Sequence, residues 1–219
     1  MATTAPVIPG GIAQSRSRYW LVSVLRALVA AVAGMVITFS SDHSASLGLT
    51  VFGGFAIVTA LVQIAGTRVL DADTVTRRSF IAQGILSLVA GAVAIVLAPI
   101  GGQPAFFAVV LLWALLAGAL ELYSGFRLRG RSALARDWMT IGSVTVLLAV
   151  AFLLVPQSLD QHFTGPDGVD RNLTASIVSV GTFGAYAAIV AVLLAIGGFS
   201  LKWGTDASGR VTPETESHS

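Results

Sequence analysis

The sequence predicts an all-α polytopic membrane protein, with six transmembrane helices arranged as three tandem helical hairpins. Three observations predict it. The 219-residue chain is 55% hydrophobic and 11% charged, where soluble domains carry about 25% charge. Its apolar residues fall into runs of the roughly 20 residues that a span requires. The runs also repeat with a common period of 57–59 residues.

Six segments are long and apolar enough to span: Tyr19–Phe39, Leu47–Gly66, Phe80–Ala98, Ala105–Phe126, Trp138–Val155 and Thr174–Leu201. The first contains Ala31-Val32-Ala33, which resembles a signal-peptidase site. The apolar run continues through Phe39 and includes Arg26, so the segment reads as an uncleaved span. Each run is apolar on every face, whereas membrane β-strands alternate. Residues 1–18 and 204–219 are polar or rich in small residues and read as disordered cytoplasmic tails, leaving a transmembrane domain of 19–203.

The basic residues set an orientation. Arg16 and Arg18 precede the first span; Arg68, Arg77 and Arg78 separate the second from the third. Arg127, Arg129, Arg131 and Arg136 separate the fourth from the fifth, and Lys202 and Arg210 follow the sixth. The opposite connections hold Asp42, Asp160, Asp167 and Asp170 with a single Arg171. The positive-inside rule then places both termini in the cytoplasm, and Trp20, Trp138 and Trp203 at the cytoplasmic interface.

The repeat is carried by aligned charges and prolines. Ser87–Pro99 aligns with Val144–Pro156 at a shift of 57, Val32-Ala33-Gly34 with Val89-Ala90-Gly91 at the same shift, and Ala60–Arg68 with Ala119–Arg127 at 59. Each unit holds two spans, giving repeats 19–68, 78–127 and 136–203, related by a pseudo-threefold axis along the membrane normal. The third is expanded by the outer loop "QSLDQHFTGPDGVDRN". Small residues recur at i, i+4 as Ala30/Gly34, Ser87/Gly91 and Ala114/Gly118, the spacing that lets helix backbones approach in lipid. The first two pairs occupy equivalent positions, which suggests that the odd-numbered helices meet at the centre.

Several function classes are excluded or unsupported. Without cysteine there is no thiol or thiolate chemistry. His43, His162 and His218 make no metal-spacing motif. There is no nucleophile elbow, zincin motif, phosphate-binding loop or dinucleotide fingerprint, so no catalytic residue, cofactor or metal is expected. The basic residues are short clusters beside spans, which does not fit nucleic-acid binding. The expected partners are the lipid bilayer and a membrane protein or second copy.

Tandem hairpins with Ala90-Gly91 in the first helix, Pro99 closing it, and the pattern G-x-x-E-x-x-x-G-x-R over Gly118–Arg127 resemble the HdeD-like acid-resistance membrane proteins. The likeness is best over Arg78–Pro156. Unit one has Asp42 in place of the proline, and unit three ends "LAIGGFSLKW" without the acid and arginine. The resemblance implies a non-enzymatic, bacterial inner-membrane, six-span protein linked to acid or envelope-stress tolerance. It supplies no catalytic residues.

Two charges stand inside spans. A mid-membrane charge costs about 2.5–3.5 kcal/mol on insertion scales. Glu121 lies roughly 8 Å, and Arg26 roughly 10 Å, from the same side at 1.5 Å per residue. Matching depths predict that Arg26 and Glu121 approach each other, directly or through water or Gln63. Three readings stay open: a structural bridge, independent snorkelling, and a proton or ion relay within a small transporter or channel. Ser87, Thr145, Ser176, Ser179 and Thr182 are the sparse polar groups beyond Glu121, which argues against a pump. The outer loops hold Asp42, His43, Asp160 and His162; carboxylates and histidines as residue types titrate between about pH 4 and 6.5, the chemistry of an acid-sensing surface or of ordinary solvated loops.

Overall fold

The computed structural model describes residues 10–69, 74–130, 134–164, 166, 168 and 170–203. Six helices run in order: α1 (Gly10–Phe39), α2 (Ala45–Gly66), α3 (Thr74–Leu97), α4 (Gly102–Arg127), α5 (Leu134–Leu154) and α6 (Ala175–Trp203). All six contain windows long and apolar enough to cross a membrane. α1 reaches back to Gly10, into the stretch that the sequence reads as a tail. The tail at 204–219 lies outside the described residues.

Local chemistry ends the helices. Ser44 caps α2 by accepting from Leu47 N at 3.2 Å, and Asp42 accepts from Ser44 N at 2.8 Å and from Ser44 Oγ at 3.0 Å. Gly102, at φ +58°, turns the chain from α3 into α4, a conformation that only glycine adopts without steric cost.

One strand pair stands apart from the helices. β1 (Asp160–Thr164) and β2 (Asp170–Thr174) form an antiparallel hairpin within the expanded third connection. The sequence predicts an outer loop here, and the structure adds strand pairing to it. Its two five-residue runs flank a stretch rich in glycine, proline and aspartate, the composition that commonly joins the strands of a hairpin.

The helices form a ring in chain order. The most extensive packing is within α1/α6, α2/α3 and α4/α5; packing within α1/α2, α3/α4 and α5/α6 is lighter, and lightest for α5/α6. Among the described residues, α2, α4 and α6 also meet one another inside the ring. The even-numbered helices therefore form the centre, which corrects the expectation for the odd-numbered ones. The glycines of the small-residue pairs explain the difference, because Gly34, Gly91 and Gly118 mark close neighbours in the ring and not the axis. A Cβ on Gly34 would lie 3.3 Å from Gly184 O of α6, and one on Gly91 would lie 2.8 Å from Gly53 O of α2. On Gly118 it would lie 3.2 Å from Gly142 O of α5. Ala30 and Ala114 are fully buried and Ser87 nearly so.

The axis is filled in layers. Phe55, Trp113 and Tyr186, one from each even helix, sit at positions related by 58 and then 73 residues, and all three are buried. Phe55 and Trp113 rings meet edge to face at 5.9 Å, and Trp113 and Tyr186 at 6.2 Å. Ala56, Ala114 and Ala187 repeat the same spacing and are completely buried. The step from 58 to 73 reflects the β-hairpin insertion.

At the arginine-rich end the odd helices approach through side chains. Trp138 of α5 lies 4.4 Å from the Phe80 ring of α3, and its Nε1 donates to Tyr19 Oη of α1 at 3.3 Å. Trp138 is thus 3% exposed and packs inside the bundle, while Trp203 is 68% exposed and sits at the surface. Outward faces carry apolar side chains such as Leu28, Val96, Leu116 and Leu147, as lipid contact requires.

Candidate functional site: a polar layer inside the bundle

Arg26 Nη2 of α1 donates to Glu121 Oε1 of α4 at 3.0 Å, and the two residues are 6% and 2% exposed. The structure brings these two side chains together directly, without Gln63 as an intermediary. α1 and α4 belong to different repeats, so the ion pair ties units one and two across the bundle.

The pair belongs to a larger layer. Gln63 of α2 donates through Nε2 to Gln83 Oε1 of α3 at 2.8 Å, and both are buried. Arg26, Gln83 and Ile141 are spaced 57 and 58 residues apart on the odd helices; Gln63, Glu121 and Leu194 are spaced 58 and 73 apart on the even ones. Six symmetry-related positions therefore form one level of the bundle. Four are polar and come from units one and two, and the two apolar ones come from unit three.

The next level follows the same rule with different chemistry. Trp113 Nε1 of α4 donates to Ser87 Oγ of α3 at 3.0 Å. Thr145 Oγ1 of α5 and Tyr186 Oη of α6 share a hydrogen bond of 3.0 Å. The corresponding positions in unit one are Ala30 and Phe55, neither of which offers a polar atom. Gln83, Trp113 and Tyr186 were not singled out from the sequence. Aligning the units at 57 residues places Gln83 under Arg26, and at 73 residues, across the β-hairpin insertion, Tyr186 under Trp113, which is the signal that finds them.

A cavity of about 20 Å³ lies among these side chains. Arg26 Nε, Thr59 Oγ1 and Gln63 Oε1 are buried and have no protein partner among the described residues, and all three residues line the cavity. A space of this size holds one water, which needs two to four polar partners. A donor N–H, a hydroxyl and a carbonyl acceptor meet that need. Beyond the layer, Phe52 and Phe183 rings meet at 5.5 Å and close the axis towards the end that bears the β-hairpin.

The outer candidates are arranged differently. Asp42 serves the cap of α2, as described above. His162 Nε2 lies 3.8 Å from Asp160 Oδ1, with both side chains exposed. Among the described residues, no hydrogen bond or ion pair joins the Asp42/His43 group to the Asp160/His162 group. Ser176 and Ser179 of α6 instead bond Gln103 of α4, at 2.9 and 3.2 Å. Among the described residues, no cluster of three His, Asp or Glu side chains is placed to hold a metal.

Six helices, each long and apolar enough to cross a membrane, packed around a buried ion pair and a few neutral hydrogen bonds, define a multi-pass α-helical membrane protein. Residues 25–96 and 82–155 each match the family model described as a short repeat of unknown function (DUF308). The chain belongs to this family, which is associated with the HdeD-like acid-resistance membrane proteins. The two matches start 57 residues apart and end 59 apart, which is the period of the repeat. No curated protein and no solved structure matches the chain.

Proposed function

We propose that this protein supports acid or envelope-stress tolerance as a rigid, non-conducting membrane element, with both termini in the cytoplasm. The arginine-rich connections support the orientation. The observation that carries the non-conducting reading is the filling of the axis on both sides of the polar layer. Phe52, Phe55, Trp113, Phe183 and Tyr186 occupy one side, and Tyr19, Phe80 and Trp138 the other. On this reading Arg26 and Glu121 fasten units one and two together. Asp42, His43, Asp160 and His162 form the candidate acid-sensing surface, at the end opposite the arginine-rich connections.

A second reading, a small transporter with a path near Glu121 and Arg26, is favoured by one feature: a cleft from the arginine-rich end reaches Arg26. A third, an accessory subunit, would use that same cleft for a partner. The test is acid survival of a deletion strain complemented at matched membrane levels with wild type, Glu121→Gln, or the double variant Arg26→Leu/Glu121→Leu. Rescue by the double variant is the expected result, because apolar side chains restore the fastening without charge. Failure of the double variant to rescue, together with proton flux in wild-type proteoliposomes, would replace this reading with the transporter.

A further inference from the structure

The lightest of the ring contacts, α5/α6, opens into a cleft of about 890 Å³ at the arginine-rich end. Its walls carry Ile141 of α5 and Leu193 and Ile196 of α6, and its inner limit is Arg26 of α1. Along α5 the lining runs from Leu134 to Ser143, roughly 14 Å at 1.5 Å per residue. The cleft thus spans the depth from headgroups to acyl chains of one leaflet.

Arg129 and Arg136 stand at the mouth. Both are exposed, and among the described residues neither side chain has a hydrogen-bond or ion-pair partner. Arg26 is already committed to Glu121. The acid in the lining is Asp137, whose carboxylate lies beside Gly197 of α6: a Cβ there would be 2.8 Å from Asp137 Oδ2. The mouth therefore offers two uncommitted guanidinium groups, the fork that matches phosphate oxygens, directly above an apolar slot. An apolar helix would leave those cations unmatched, and a free phosphate would leave the slot unused.

We propose that the α5/α6 cleft binds an anionic phospholipid, with its phosphate held between Arg129 and Arg136 and an acyl chain laid along Ile141, Leu193 and Ile196. The test uses the full chain in neutral detergent, titrated with phosphatidylglycerol or with phosphatidylethanolamine of the same acyl chains. Bound lipid is counted by native mass spectrometry. The first phosphatidylglycerol is expected to bind on the order of tenfold more tightly than the zwitterionic lipid. The double variant Arg129→Gln/Arg136→Gln should abolish that preference, while Arg77→Gln/Arg78→Gln, which removes two exposed arginines from the α3 end, should keep it. Ser143→Trp, which fills the slot, should weaken phosphatidylglycerol binding with the rim arginines intact. Equal affinity for both lipids would overturn the proposal. So would an equal loss in the Arg77/Arg78 variant, which would reduce the effect to general surface charge. A doubled mass that persists after delipidation and excludes lipid would assign the cleft to a second copy of the chain.

Discussion

Glu121 is tolerated inside the bundle because Arg26 is there to meet it. Each charge alone is costly in lipid, and the 3.0 Å contact offsets part of that cost for both. The pair remains asymmetric in its consequences. Removing one partner strands the other, which typically costs about 3–5 kcal/mol, while replacing both with apolar groups is often neutral or stabilising. Arg26→Leu and Glu121→Leu are each expected to lower stability by about that amount, and the double variant to return to within ~1 kcal/mol of wild type or exceed it. Unfolding in mixed micelles measures all four proteins, and additive losses would mean the charges act independently. The pair was legible in the sequence because two unusual residues enter from one side to matching depths. Gln83 was less legible, since a glutamine near a span end is unremarkable until the units are aligned. Trp138 was misread for a related reason: tryptophan beside an arginine cluster fits an interfacial anchor equally well, and only packing against Phe80 and Tyr19 distinguishes the two.

Helix pairs here are matched by what their contact surfaces lack or carry. At Gly91 an added Cβ would meet Gly53 O at 2.8 Å and Ile57 N at 3.0 Å, both backbone atoms with little room to move. Gly91→Val is therefore expected to push α3 from α2 and cost about 1–3 kcal/mol, the usual range for overpacking. Gly54→Ala, one residue from Gly53 and with nothing within 4 Å of its added Cβ, should be neutral or slightly stabilising, since alanine is the better helix former by about 1 kcal/mol. Comparing the two by thermal unfolding separates contact from propensity. The hydroxyl–aromatic pairs make a second case. Units two and three bury Ser87 with Trp113 and Thr145 with Tyr186, and unit one replaces both members with Ala30 and Phe55. The loss of both partners together is what desolvation demands, because a buried donor without an acceptor costs about 1–3 kcal/mol. Tyr186→Phe should leave Thr145 a bond to Ile141 O at 2.8 Å and so cost less than Trp113→Phe, which deprives Ser87 Oγ of the donor it accepts from. Equal losses by denaturant titration would show that leaving Ser87 Oγ without its donor is not the deciding cost.

For the whole molecule, the repeat dictates a ring, and the ring dictates which faces meet lipid. Six spans and the 57–59-residue period were legible because membrane helices leave long apolar runs and because charges and prolines stay aligned through the duplication. Which helices occupy the centre was not legible. Close helix approach and central position both select small residues, and Ala30/Gly34 carries the first meaning while Ala56, Ala114 and Ala187 carry the second. The β-hairpin was obscured because its two short runs sit in a polar loop beside a strong apolar signal. Orientation rests on charge alone, and the absence of native cysteine makes it directly measurable. Ser41, Gln157 and Thr74 are exposed positions outside or at the ends of the helices. Ser41 and Gln157 lie on the α1/α2 and α5/α6 connections, and Thr74 begins α3 at the opposite end. With arginines facing the cytoplasm, a membrane-impermeant maleimide applied to intact spheroplasts should label Ser41→Cys and Gln157→Cys and leave Thr74→Cys unlabelled until the membrane is opened. The reverse pattern would invert the protein, place Asp42, His43, Asp160 and His162 in the cytoplasm, and remove their exposure to external acid. Labelling of all three from outside would imply a mixed population, in which the arginine bias is too weak to decide. The acid-facing role proposed for the loop carboxylates and histidines therefore stands or falls on this one geometry.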